Sequence, residues 1–231
     1  MKEIYAGLFS GIISTIIVNP LDVLRTHKQL NIKYNISVKF LYNGLTPALI
    51  CLPSFWAIYF PTYEYLKKQK FNLFSGYLAA NIGSTFTCPL FFIRQKYQID
   101  NTIDIYKYYK LNGIKPFYNA LITTYLYNTS LIFQMPIYEH LKKKYLNLTK
   151  IDTLNIFIIT SISKIISTLI VYPIDTLRTI KRQKTNKSLF EIIYNLNKNP
   201  NNYYRGISIY LLRSIPYHGS IFCSYEFLKK I

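Results

Sequence analysis

The chain has 231 residues, half of them apolar, with 23 Tyr and 15 Phe, enough for a substantial core. Lys and Arg number 28 against 10 Asp and Glu, a formal charge of +18, which calls for an anionic partner or reflects a coding bias toward Ile, Asn, Lys and Tyr. The basic residues flank apolar segments rather than gathering on one polar face, which argues against nucleic-acid binding, and Cys51, Cys88 and Cys223 have neither metal-ligand spacing nor a disulfide framework's even count, reading as reduced or lipid-buried thiols.

Met1-Lys2-Glu3-Ile4 leads almost at once into an apolar stretch, with no cleavable presequence expected before it. Six apolar stretches of spanning length follow in order, at about 4–29, 44–68, 72–97, 117–144, 153–182 and 204–230. A span takes about 20 mostly apolar residues at 1.5 Å rise each. Each stretch also carries Ser, Thr, Asn, Tyr or a charge, which suits a helix with one face on lipid and the other on a water-filled cavity. A soluble bundle of six buried helices is the competing reading, and the placement of charge disfavours it. The connections alternate. Segments 30–43, 98–116 and 183–203 are long and basic, and 69–71 and 145–152 are short. Segment 188–194 has the spacing of a surface helix. The three basic loops mark the interior side, with both termini opposite.

Two motifs recur. Pro20-Leu21-Asp22-x-x-Arg25 and Pro173-Ile174-Asp175-x-x-Arg178 have a degenerate counterpart in Pro89-x-Phe91-x-x-Arg94. Tyr63-Glu64-x-x-Lys67, Tyr138-Glu139-x-x-Lys142 and Tyr225-Glu226-x-x-Lys229 close the even-numbered stretches. The repetition predicts an all-α membrane protein of six transmembrane helices in three tandem hairpins, one domain over 1–231 with repeats near 1–69, 70–149 and 150–231. A proline bends each odd helix, so the three converge at one end and bring the Asp and Arg residues together there. A single Glu-x-x-Lys set pairs within its own helix for a few tenths of a kcal/mol, but three copies at equivalent helix ends predict a second ring. Two rings of partly hydrated pairs, each pair worth about 0–1 kcal/mol, make two gates for alternating access. His27, His140 and His218 are scattered, with no nucleophile–base pattern around them, so an enzyme is not expected.

On these motifs the chain resembles the mitochondrial carrier family throughout its length. Gly7-x-x-x-Gly11 and Gly76-x-x-x-Ala80 are similar to that family's small-residue packing pattern, with Lys164 at the second small position of repeat three. Gln29 and Gln98, nine residues after their prolines, match the glutamine that braces the family's matrix gate. The resemblance implies a monomeric pseudo-threefold bundle with three matrix-side surface helices and bound cardiolipin, multi-pass in the mitochondrial inner membrane. It implies a matrix gate of Asp22, Arg25, Arg94, Asp175 and Arg178, and a cytosolic gate of the three Tyr-Glu-x-x-Lys sets. Phe91 stands where an acid is expected, which leaves Arg94 short of a partner and the matrix gate with at most two pairs.

Substrate contacts in this family lie about thirteen residues before each cytosolic-gate acid. Counting back gives Cys51, then Leu126 or Tyr127 with Asn128 as an equal candidate because span four is a residue short, and Arg213. A mid-membrane Arg is functional by default, and few acids are expected at its depth. Lys164 either faces the cavity or snorkels. A cationic cavity with tyrosine faces points to an anionic nucleotide, ATP/ADP or a deoxynucleotide. The alternatives are a smaller organic anion, an amino acid or an S-adenosylmethionine-like solute, or a degenerate carrier with a structural role. Length and composition resemble a compact nucleotide carrier of an AT-rich or large-viral genome, which would serve a host mitochondrion if viral. No cofactor and no metal are expected.

Overall fold

A computed structural model describes residues 2–69, 74–146 and 153–213, and among these every regular element is helical. The order is α1 (Lys2–Leu30), α2 (Val38–Leu41), α3 (Leu45–Lys68), α4 (Ser75–Ile99), α5 (Ile105–Asn112), α6 (Leu121–Asn128), α7 (Ser130–Leu146), α8 (Thr153–Gln183) and α9 (Leu189–Asn197). Two 3₁₀ turns, Lys115–Tyr118 and Pro200–Tyr204, lead into α6 and into helical turns over 207–213. Cys223, His218, Tyr225, Glu226 and Lys229, and the surroundings of Gly7 and Gly11, lie outside the described residues.

The helices are turned inside out relative to a water-soluble bundle. Ile158, Ile162, Ile166 and Ile170 form an exposed stripe along α8, while Ser163, Ser167 and Thr168 on the same helix are fully buried. On α1, Ile12, Ile13, Ile16 and Ile17 face out, while Ser14, Asn19, Thr26 and Gln29 face in. Buried polar groups beneath an exposed apolar face are the arrangement a lipid exterior and a polar interior select. Three segments among the described residues, Val38–Lys68, Ser75–Ile99 and Ile158–Gln183, are long and apolar enough to cross a membrane.

Gly76 and Gly83 let α3 lie close on α4. A Cβ on Gly83 would meet Phe55 at 3.2 Å, and one on Gly76 would meet the Tyr59 hydroxyl at 3.4 Å. Ala80, between them, is buried. Span four is not one helix. Around Thr129 the ladder tightens to i→i+3 bonds, with the Thr129 amide donating to Leu126 O at 3.3 Å and the Ile132 amide to Thr129 O at 2.9 Å. Such a 3₁₀ turn takes up a missing residue without rotating the rest of the span out of register.

The residue before each helix-bending proline ties its odd helix to the segment that starts its hairpin partner. Asn19 Nδ2 donates to Leu41 O (3.0 Å), Cys88 Sγ to Phe117 O (3.3 Å) and the Tyr172 hydroxyl to Arg205 O (2.9 Å). Three different side chains perform one task, which motif spacing does not reveal. Cys88 and Cys51 are therefore free thiols buried in protein, not in lipid. At the loop end, Leu30, Ile180, Ile192 and Leu196 cluster and join α1, α8 and α9. The surface helix expected at 188–194 thus presses Ile192 and Leu196 inward, while Phe190 and Tyr194 project outward. Its start is capped by the Ser188 hydroxyl, which accepts from the Glu191 amide at 3.1 Å. The first loop's helix, α2, is a single turn.

Candidate substrate cavity and its ion-pair floor

A cavity of about 300 Å³ opens among α1, α3, α4, α6 and α8, and its floor is made by the residues that follow the three prolines. Asp22 and Arg25 are nearly a helical turn apart on α1 and reach different neighbours. Asp22 accepts from Arg94 of α4 at 2.8 Å, and Arg25 pairs with Asp175 of α8. Asp175, fully buried, also takes Arg178 from its own helix and the Gln29 amide at 2.9 Å.

These contacts run in one direction: the α1 acid reaches the α4 arginine, and the α8 acid reaches the α1 arginine. The acid missing at Phe91 would by the same rule have served Arg178. The expectation that Arg94 goes short is therefore corrected. Arg94 has Asp22, and Arg178 is the cation with no carboxylate from the preceding repeat. Arg178 instead turns to Asp175 three residues back and lies 3.8 Å from the centre of the Tyr127 ring.

The glutamines differ in role. Gln29 braces its pair, donating to Asp175 and accepting from Thr179 at 2.8 Å. Gln98 accepts from Thr26 Oγ1 at 3.0 Å, a hydroxyl that also donates to Asp22 O, so it steadies the α1 backbone rather than an ion pair. The pairs are also less hydrated than the sequence led us to expect. Side-chain exposure is 12% for Arg25 and 0% for Asp175. Removing one member of such a pair leaves an uncompensated buried charge, at about 3–5 kcal/mol rather than 0–1.

Arg213, Tyr127 and Asn128 line the cavity. Arg213 is not isolated from acids: its Nε lies 2.6 Å from Asp22 Oδ1, so it belongs to the floor's charge network. The expectation of few acids at its depth overlooked Asp22, which α1 brings to the same cavity. The Asn128 amide donates to Asn81 Oδ1 at 2.9 Å and Ser84 Oγ at 3.1 Å, while Leu126 points outward. Cys51 and Lys164 are not among the described lining residues. Cys51 is fully buried beside the wall, and Leu52, Phe55 and Trp56 supply that wall instead.

Sequence reasoning missed Arg182, Thr124, Phe55 and Trp56. Arg182 was legible in principle, because it stands nine residues after Pro173, the place held by Gln29 and Gln98 in the other repeats. At the far end, among the described residues, Glu64, Lys67, Glu139 and Lys142 form no ion pair with one another. Lys67 and Lys142 lie 6.0 Å from the rings of Tyr63 and Tyr138 in their own helices. The ring at the proline end is closed.

An apolar exterior, a polar interior and a charged cavity between helices suit a membrane-embedded helical bundle. Residues 149–231 match the family model for mitochondrial carrier protein. The chain is 26% identical to mitochondrial substrate carrier family protein W of Dictyostelium discoideum, covering all of this chain and 86% of the relative. It is 24% identical to mitochondrial nicotinamide adenine dinucleotide transporter 1 of Saccharomyces cerevisiae, over 97% of this chain and 75% of that one. It is 25% identical to the chloroplastic nicotinamide adenine dinucleotide transporter 1 of Arabidopsis thaliana, over 97% and 90%. The chain is thus similar to mitochondrial carrier family proteins along nearly its whole length, and its last third matches that family's model.

Proposed function

We propose that this carrier moves anionic nucleotides across the mitochondrial inner membrane by alternating access. One observation carries the reading. Five guanidinium groups, those of Arg25, Arg94, Arg178, Arg182 and Arg213, surround the cavity. Two carboxylates, Asp22 and Asp175, answer them among the described residues, leaving an excess of three positive charges. Guanidinium groups suit phosphate geometry, and Phe55, Trp56, Phe91 and Tyr127 put aromatic faces on the same cavity for a base to stack on. Relatives named as nicotinamide adenine dinucleotide transporters support a nucleotide-type substrate.

The architecture behind this proposal is a six-span, pseudo-threefold monomer with cardiolipin at its loop-side surface. The one-way contacts from Asp22 to Arg94 and from Asp175 to Arg25 support closure into a ring. The closed ring is the matrix gate, and the three Tyr-Glu-x-x-Lys sets are the cytosolic gate. A cavity of about 300 Å³ sits at the small end of ligand sites, roughly 300–1,000 Å³, and favours a compact organic anion as the second reading.

Uptake by purified protein in liposomes preloaded with unlabelled solute tests the proposal. ATP, ADP, deoxynucleotides and nicotinamide adenine dinucleotide are expected to exchange. Exchange of dicarboxylates or amino acids instead would move the substrate to the second reading. Arg213→Ala is expected to abolish exchange and, through the lost Asp22 contact, also to lower Tm in detergent.

A further inference from the structure

The floor of the cavity has a gap in its charge pattern. Repeats one and two place a glutamine nine residues after the proline, and repeat three places Arg182 there. Repeats one and three place an aspartate two residues after the proline, and repeat two places Phe91. The extra cation and the missing anion meet. Arg182 lies over the Phe91 ring, 5.5 Å from its centre. Its hydrogen bond is a long one, from Nη2 to Thr124 Oγ1 at 3.3 Å, and that hydroxyl is itself committed to Ala120 O at 2.8 Å. Arg182 has no carboxylate within ion-pair distance among the described residues. The Nε atoms of Arg182 and Arg178 are buried without a hydrogen-bond partner there. All four residues line the cavity.

A buried guanidinium is held at high cost unless a counter-charge reaches it. Asp175 is saturated by Arg25, Arg178 and Gln29, and Asp22 by Arg94 and Arg213. Among the described residues no carboxylate is left for Arg182, and the cavity it lines is where a counter-charge can reach it. We propose that Arg182, with Arg178 and Thr124, forms an anion subsite in the floor beside Phe91, and that the phosphoryl end of the substrate binds there and completes the closed ring. The anion takes the place of the carboxylate that Phe91 does not supply. A neutral nucleoside gains nothing from the site. This rests on the nucleotide reading for the identity of the substrate, but not for the chemistry of the subsite.

The test separates the two. Sodium tripolyphosphate, which has no base or sugar, is titrated calorimetrically into detergent-purified full-length protein at low ionic strength. Arg182→Gln installs the residue the other two repeats carry, and is expected to weaken binding about tenfold or more, the loss of one charge-assisted contact. Phe91→Asp places a competing carboxylate in the gap and is expected to weaken it likewise, with folding retained. Wild-type affinity in both variants overturns the subsite, and if Arg182→Gln does not fold, Phe91→Asp decides alone. Liposome exchange supplies the second arm. If wild-type protein exchanges nucleotides and Arg182→Gln keeps the same preference among ATP, ADP and AMP, the subsite fails while the nucleotide reading stands. If no nucleotide exchanges but tripolyphosphate binds through Arg182, the subsite stands and the nucleotide reading fails.

Discussion

Phe91 is the residue at which this carrier departs most from its own internal pattern. In its place a carboxylate would find Arg178 already desolvated and already present, so most of the cost of burying the cation is met before the substitution is made. Against this stands the loss of an edge-on contact with Phe55 at 6.2 Å and of the ring beneath Arg182. We expect Phe91→Asp to raise stability by about 1 kcal/mol and to slow exchange, since the proline-end ring must open in each cycle. A Tm unchanged or lowered, with the wild-type rate, would mean that the open position does not weaken the gate. Asp175→Asn makes the opposite case. It leaves Arg25 and Arg178 without their carboxylate, and should cost about 3–5 kcal/mol, read as a fall in Tm of several degrees. The acids and arginines of this ring were legible in the sequence because they recur at a fixed offset from proline. Arg182 was legible too, nine residues after its proline, but Arg213's bond to Asp22 was not, because it joins residues from different repeats, and spacing within one repeat carries no information about the neighbour it will meet.

At the scale of elements, helix limits followed the apolar stretches closely. Span two, expected at 44–68, is α3 at Leu45–Lys68, and span five, expected at 153–182, is α8 at Thr153–Gln183. The period of the apolar residues and the flanking charges fix such limits locally. The break at Thr129 was legible only as a span one residue short, since a 3₁₀ turn has no composition of its own. The joins between elements are tighter than the sequence shows. Gly44, at φ +70°, starts α3 against α4, and a Cβ there would meet Gln98 Cγ at 2.8 Å and Arg94 O at 3.0 Å. Gly113, at φ +68°, ends α5 with nothing within 4 Å of the same added atom. Gly113→Ala should therefore cost only backbone strain, about 1–3 kcal/mol, because φ +68° with ψ −166° is a conformation open essentially to glycine alone. Gly44→Ala adds a clash with the α4 backbone beside the Asp22–Arg94 pair, and should lower Tm further and impair exchange. Equal Tm shifts in the two variants would show that α3 and α4 do not need this approach.

For the whole molecule, the asymmetry between its two ends is the consequential feature. The ring at the proline end is closed by Asp22–Arg94 and Asp175–Arg25, and the far-end carboxylates Glu64 and Glu139 take no Lys67 or Lys142 among the described residues. In the proposed alternating-access cycle the two ends are never open together, so on that reading the cavity communicates with the side away from the basic loops. Ser84 lies on the cavity wall and reports on this. In protein with Cys51, Cys88 and Cys223 replaced by serine, which keeps the hydrogen-bond donor that Cys88 supplies, Ser84→Cys becomes the target for a membrane-impermeant maleimide. We expect labelling from the far side in vesicles of known orientation, and protection from the loop side. Adding Asp22→Asn and Asp175→Asn removes both carboxylates from the ring while leaving five arginines that repel one another, so reagent should then enter from the loop side as well. Protection on the loop side that survives both substitutions would mean that packing among α1, α4 and α8, and not the ion pairs, closes that end.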